Sequence, residues 1–253
     1  MIDSHAHYDD EKFDLDRDKV LNECVKHGIT HIVNAGSSVE SSRKSIELAR
    51  QYSFVYSAVG VHPHEVSECE ADTIAILREL SKESKVVAIG EIGLDYHYDF
   101  SPRDTQREWF AKQINLAREL KLPIIIHDRE SHKDILDIVK GEKGSDVGGV
   151  FHCFSGSVEM AREVLNLGFK LGIGGSLTFK KAQKPVEVVK YAPLDMLLTE
   201  TDCPYLSPEP HRGVRNWSGL MKFVLEKISE IKGIDYNVVE EVTANNAINL
   251  FGM

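Results

Sequence analysis

Val86-Val87-Ala88-Ile89-Gly90-Glu91 is an apolar run, rich in β-branched residues, that ends on a carboxylate. A strand of a parallel sheet has this composition, because crossover helices bury it on both faces. The pattern recurs along the chain. Short apolar runs centre on residues 2–5, 31–34, 54–59, 86–91, 123–127, 148–152, 170–173 and 196–199, and longer amphipathic stretches separate them. Strands alternating with helices predict the α/β class and a TIM-type (β/α)8 barrel, with a doubly wound open sheet as the alternative. The chain has 253 residues, close to the roughly 250 of such a barrel, so residues 1–253 are expected to form one domain. Hydrophobic residues at 42% and charged residues at 28% suit a chain that buries a full core.

The connecting stretches carry helix punctuation. Ser101-Pro102-Arg103-Asp104 has the form of a serine N-cap with proline at the first helical position. Phe110, Ile114 and Ala117 follow on one helical face. Gly28 and Gly168 each end a helical run, where a left-handed cap is expected. Ile2 is followed at once by Asp3, and no basic start precedes an apolar run, as a signal peptide would require. Apolar stretches such as 124–126 are too short to cross a bilayer. A cytoplasmic location, no membrane partner and a monomer are the expectations. Cys24, Cys69, Cys153 and Cys203 are widely spaced, without a CxxC pair, and are expected to be free thiols.

Several of the runs end on residues that ligate metals. His5 and His7 lie two apart, so one strand end aims both to the same side. Glu91 follows Val87 and Ile89 in the same alternation, His127 follows Ile125, and His152 follows Val150. The eighth run continues through Glu200 and Thr201 to Asp202. A barrel gathers the C-terminal ends of its strands at one mouth, where active sites sit. There His5, His7, Glu91, His127, His152 and Asp202 would converge. Buried without a metal, six such groups would need many compensating partners. Six ligands suit two divalent ions, Mg, Mn or Zn, that share one carboxylate, and Glu91 is the natural bridge. By the same alternation Cys153 and Cys203 should face away from the ions and pack as small apolar groups.

The ordered motifs then resemble the TatD family of metal-dependent deoxyribonucleases, within the wider amidohydrolase-type barrels. They are Asp3-Ser4-His5-Ala6-His7, Gly60-Val61-His62-Pro63-His64, Gly90-Glu91-Ile92-Gly93-Leu94-Asp95-Tyr96, residues 123–127 with Arg129, His152-Cys153-Phe154-Ser155-Gly156, Thr178-Phe179-Lys180, Glu200-Thr201-Asp202 and Arg212-Gly213. The resemblance implies a TIM-type barrel with divalent metals and hydrolysis of phosphodiester bonds in DNA from an end. It places the family's metal positions on the same six residues. The chain departs from the family in Val214-Arg215-Asn216-Trp217-Ser218, where Lys-Arg-Asn-Glu-Pro is usual, and also at Cys203 and Asn249.

The formal net charge of −10 argues against a broad basic surface for nucleic acid. A DNA substrate, or RNA, would have to be held by the ions and a few local cations. Arg129, Lys180, Arg212 and Arg215 lie beyond strand ends and are the candidates. His62 and His64 follow the third strand and suit either a substrate-binding or a structural role. Asp95 is placed to orient a ligand histidine. Of the aromatics near loops, Tyr96, Phe154, Phe179 and Trp217 are candidates to stack on a terminal base, with core packing the alternative. The expected chemistry is attack by a metal-activated hydroxide, with Glu91 and Asp202 catalytic and Asp202 serving as both ligand and base. An amidohydrolase cleaving amides, esters or lactones is the first rival, and a metal-holding binding protein the second.

Overall fold

The computed structural model describes every residue from Met1 to Met253. Eight strands form one sheet in sequential order, every neighbouring pair parallel. They are β1 (Ile2–Ala6), β2 (His31–Ala35), β3 (Val55–Val59), β4 (Val86–Asp95), β5 (Ile124–Arg129), β6 (Gly149–Phe151), β7 (Lys170–Ile173) and β8 (Leu197–Thr199). The sheet curls until β8 meets β1. Ser4 Oγ donates to the Thr199 carbonyl at 3.0 Å, and Ala6 bridges Cys203 just past β8. This is the nearly closed TIM barrel that the alternating runs predict, and the open sheet is excluded.

Helices α1 (Arg17–Lys26), α2 (Val39–Gln51), α3 (Thr73–Leu80), α4 (Arg103–Leu120), α5 (His132–Gly141), α6 (Val158–Asn166), α7 (Gln183–Tyr191), α8 (Met221–Lys232) and α9 (Tyr236–Phe251) surround it. None is long and apolar enough to cross a membrane. Gly28 and Gly168 take φ of +80° and +83°, as expected of left-handed caps. The predicted stripe Phe110, Ile114 and Ala117 is buried on α4. The start of α4 differs from expectation. Pro102 is the N-cap, and its carbonyl accepts from Gln106 N. Ser101 lies one residue earlier, where its hydroxyl donates to the His64 carbonyl and accepts from Ser67 N.

Two apolar layers result. A large outer core packs strands against helices, including Phe110, Ile114, Ile126 and Phe169. Burying each such side chain stabilises the fold by about 1.5–3 kcal/mol. A smaller inner cluster joins Ile2, Val33, Ala58, Val87, Ile125, Val150 and Leu198, with Ala247 and Phe251 of α9. Ile125 and Val150 therefore lie below His127 and His152, as alternation requires, and Val87 lies in the same inner cluster.

Alternation fails in two strands, β1 and β4. The β1–β2 ladder shifts register between Asp3 and Ala6, so a count from Ile2 does not carry through to His5. In β4 the ladder to β3 shifts between Val86 and Ala88 and the ladder to β5 between Ile89 and Ile92, and Ile89 joins the outer core although Val87 does not. Bulges of this kind re-aim side chains beside active sites.

Candidate active site

Glu91 sits at the centre of the mouth, 2% exposed. Its two oxygens face different partners. Oε1 lies 2.7 Å from His152 Nε2, 2.8 Å from His127 Nδ1 and 3.5 Å from His62 Nε2. Oε2 lies 3.4 Å from His5 Nε2 and 3.5 Å from His7 Nε2. Asp202 Oδ1 joins this second side, 3.4 Å from His7 Nε2 and 3.7 Å from His5 Nε2. The six residues read from strand ends thus come together, and His62 comes with them. Ligand atoms close enough to share an ion group as His5–His7–Asp202, His5–Glu91–His152 and His62–Glu91–His127.

The surroundings orient these groups. His7 Nδ1 lies 2.9 Å from the Ala35 carbonyl, which can only accept, so Nδ1 carries a proton and Nε2 is the atom that faces Glu91 and Asp202. On the far side His127 Nε2 lies 3.1 Å from Asp95 Oδ2, which leaves Nδ1 for the cluster. Asp95 also holds His64 Nε2 at 2.9 Å, as well as the backbone N–H groups of His97 and Tyr98. The sequence reading of Asp95 as an orienting carboxylate agrees with this geometry. His64 meets the cluster through Asp95 and through His62, whose ring it touches edge-on at 4.3 Å.

The ionisation pattern is that of a site short of positive charge. Burial alone would neutralise Glu91, yet His152, His62, His5 and His127 hold its carboxyl well below the usual range. Burial likewise opposes charge on His7, but Asp202 and Glu91 raise it to about 9. His152 and His127 are also raised against burial, chiefly by Glu91 and Glu200 for the first and by Asp95 and Glu91 for the second. His5 and His62 are lowered, by burial and neighbouring imidazoles. Side chains alone therefore hold protons between their carboxylates, where divalent cations would fit the same donors.

The mouth is braced from below. Asp3, fully buried, accepts from Thr201 N at 2.9 Å, Thr201 Oγ1 at 2.6 Å and Ser218 Oγ at 2.7 Å. Burial nonetheless pushes its carboxyl up to about 6. Asn216 donates to the carbonyls of Thr201 and Tyr205. Together they fix the backbone around Asp202, which stands in the left-handed region at φ +56°. That conformation costs a non-glycine residue roughly 1–3 kcal/mol, which the bracing offsets. Two buried glutamines of α4 act similarly. Gln113 exchanges hydrogen bonds with the Val61 backbone beside His62, and Gln106 with that of Asp95. Their only sequence signal was an amide on the inner face of an amphipathic helix. Gly93, at φ +147°, lets β4 pass β5 where a Cβ would strike the His127 carbonyl.

Cys203 packs in an apolar cluster with Tyr8 and Cys24, as alternation predicts. Cys153 does not face away. The strand ends at Phe151, and Cys153 follows at φ +43°, donating its N–H to Glu200 Oε1. Burial first, then the charges of Asp202, Glu200 and Glu91, pushes its thiol up to about 12.

The rim residues have their own partners. Arg129 lies over the Tyr98 ring, 4.7 Å from its centroid. Arg212 lies 3.9 Å from the Phe179 centroid and donates to the Ser207 carbonyl. Arg215 is tied to Asp16 by two hydrogen bonds and to the Lys12 carbonyl. Lys180 is exposed. None of these cations touches the cluster. Lys12, Arg212 and Arg215 line a hollow of about 530 Å³ beside Pro204 and Ser207. Of the proposed stacking aromatics, Phe154 is 5% exposed, Tyr96 bonds Asp134, and Trp217 packs against His27. Phe179 carries Arg212. Tyr98 and Phe100, which the sequence reading passed over, are exposed beside the His127 side of the site, as Tyr205 is beside Asp202.

A TIM barrel with this histidine–carboxylate cluster at the C-terminal mouth defines a metal-dependent hydrolase. The chain belongs to the TatD related DNase family, which it matches over residues 2–252. The uncharacterized metal-dependent hydrolase YabD of Bacillus subtilis (strain 168) is 44% identical over 251 residues, 99% of this chain and 98% of its own. The 3'-5' ssDNA/RNA exonuclease TatD of Erwinia amylovora is 36% identical over 259 residues, the whole of both chains. The crystal structure of YJJV, a TatD homolog from Escherichia coli K12, matches with a TM-score of 0.94 at 30% identity, covering 100% of this chain and 98% of that one.

Proposed function

We propose that the protein is a divalent-metal-dependent deoxyribonuclease that removes nucleotides from the end of a single strand, with RNA as a second substrate. One observation carries the two-ion part of this reading. The buried Glu91 carboxylate turns Oε2 to His5 and His7, and Oε1 to His127, His152 and His62. His5, His7 and Asp202 would hold one ion, His127 and His152 the other, and Glu91 both; His62 stands beside the second. Such a pair, Mg, Mn or Zn, supplies an acidified water and neutralises charge on a phosphoryl group.

The chain's own residues do the rest. Asp202 is the cluster carboxylate that water can reach, its side chain 16% exposed against 3% for Glu91. Its carboxyl is lowered, against burial, by His7, His152 and His5, so it is ionised at neutral pH and accepts the water's proton at Oδ1. His64, steadied by Asp95, holds the phosphate or the leaving oxygen. Arg129, Lys180 and Arg212 supply positive charge where the strand leaves the mouth. The nucleic-acid substrate is supported by the exonuclease name of the Erwinia relative and by the family itself.

Metal content of the purified protein, followed by the product ladder on end-labelled single-stranded DNA with Mg²⁺ or Mn²⁺, tests the proposal. A panel of amides, esters and lactones is run beside it. Two ions per chain and a ladder shortening from one end are expected. Turnover of the small molecules only would overturn the nuclease reading. Asp202→Asn is expected to fold and to lose hydrolysis by about 10²–10³-fold, the scale of removing one preorganised charged group.

A further inference from the structure

We propose that Tyr98 and Phe100 form a stacking platform for a nucleobase of the strand being cut, adjoining the His127 side of the cluster. The two rings are stacked on each other, with centroids 5.2 Å apart and planes 14° apart. They are 47% and 66% exposed, in a protein whose only other exposed aromatics are Tyr191 and Tyr205. Apolar rings in water beside a catalytic mouth are a cost to the free protein that a bound ring face would remove.

Their position ties them to the site. The His64 ring meets Phe100 edge-on at 4.8 Å and Tyr98 at 5.5 Å, and its centroid is 6.2 Å from that of His127. One imidazole therefore separates the platform from the cluster, a gap that the nucleotide carrying the cleaved phosphate can span. Arg129 over the Tyr98 ring adds a cation where a neighbouring phosphate would lie.

The platform is also fixed in place. The Asp95 carboxylate that orients His127 accepts the backbone N–H groups of His97 and Tyr98. Arg103 grips Asp99 with two hydrogen bonds, and Ser101 Oγ donates to the His64 carbonyl. Such preorganisation lowers the entropy lost on binding. No hydrogen-bonding group of the pair reads a base edge, apart from the Tyr98 hydroxyl. The expected occupant is a base of any identity, recognised by its π face.

This inference rests on the nuclease reading and is tested separately from it. The metal-loaded full-length protein is given two short strands of equal length, oligodeoxythymidylate and its abasic deoxyribose-phosphate counterpart. The wild-type protein should prefer the base-bearing strand by about tenfold in KM, within the range for one base on an aromatic ring. Phe100→Ala should lose that preference, Phe100→Trp should keep it, and Tyr98→Ala should weaken it. A preference that survives Phe100→Ala overturns the platform while leaving the nuclease intact, as does a wild-type protein that cuts both strands equally well. A wild-type protein that cuts neither strand overturns both readings. If Phe100→Ala instead abolishes self-association, seen by sedimentation, with strand preference unchanged, the surface joins copies of the chain and the platform is refuted.

Discussion

Glu91 and Arg212 are both charged, both belong to the mouth of one barrel, and differ in almost every other respect. Glu91 lies at the end of an apolar run within a strand, 2% exposed, with five imidazoles within 3.5 Å. Arg212 lies on an exposed loop and is steadied by one carbonyl and one phenyl face. In the floor of the mouth each group is held by others that would be left buried and unpaired if it moved, so losses there are large and cooperative. At the rim each cation is screened by water and salt, and its loss is small and separable. Mutation, pH and salt should therefore divide the two regions cleanly.

The largest effect is expected at the centre of the floor. Glu91→Gln keeps the shape but removes the charge that both halves of the cluster share. Hydrolysis should fall by at least about 10³-fold, with loss of bound metal. Elemental analysis beside the rate is the measurement. A variant that keeps two ions and a near-normal rate would show that Glu91 does not join the halves.

The floor should also invert its response to pH when metal is removed. His7, His127 and His152 are raised in the fold, His7 to about 9, whereas an unfolded histidine titrates near 6.5. A raised histidine stabilises fully below its unfolded pKa and loses that contribution as pH climbs through its folded value. The metal-free protein should thus lose stability between about pH 6.5 and 9, by about 3 kcal/mol for His7 alone. Below pH 6.5 the lowered His5 and His62 act in the opposite sense, because the unfolded chain then binds the protons that they refuse. Metal needs neutral imidazoles, so the loaded protein gains over the same window. Thermal melts with and without chelator should therefore diverge as pH rises. Curves that converge would mean that the imidazoles do not bind the ions.

Asp95 touches both regions and sharpens the comparison. It orients His127 below and holds His64 and the loop of Tyr98 above. Asp95→Asn should weaken metal binding by about 10–100-fold, the scale for an orienting partner of a ligand histidine. It should also raise KM for strands through the loosened loop. Isothermal titration of metal and steady-state kinetics separate the two parts. A change in KM alone would assign Asp95 to the rim.

The floor was legible in the sequence because it lies on strands. Alternation put Ile125 and Val150 beneath His127 and His152, and hydrophobicity marked where each strand runs. Even there, the spacing that aims His5 and His7 to one side says nothing of the register shift between Asp3 and Ala6 that sets them apart from Ile2. Cys153 was misplaced because the chain had already left β6 for a left-handed turn. The sequence suits His62 to a substrate-binding or a structural role, yet its Nε2 lies 3.5 Å from Glu91 Oε1. The rim was harder to read. Which way Arg215 points depends on Asp16, about two hundred residues away in sequence, and local pattern holds no record of such a partner. Gln106 and Gln113 were hard to read for a related reason: a buried amide on a helix has meaning only once the backbone it meets is known.

The smallest effect is expected at Arg212, and it decides whether the rim holds substrate at all. Its guanidinium hydrogen-bonds only Ser207's carbonyl and rests on Phe179, so its remaining N–H groups are free for a phosphate. Lys12 and Arg215 share the hollow, but Arg215 is already matched by Asp16 and Lys12 lies over the Tyr205 ring. Arg212→Ala should raise KM for single-stranded DNA a few-fold at low salt, leave kcat and metal content unchanged, and lower the salt slope of binding by about one. Arg212→Lys keeps the charge and should restore the slope but not the full affinity, because a lysine cannot grip a phosphate with two parallel hydrogen bonds. If the slope is untouched by Arg212→Ala, the residue serves only to pack the loop on Phe179. The positive charge that steers the strand then lies on the Arg129 side of the mouth.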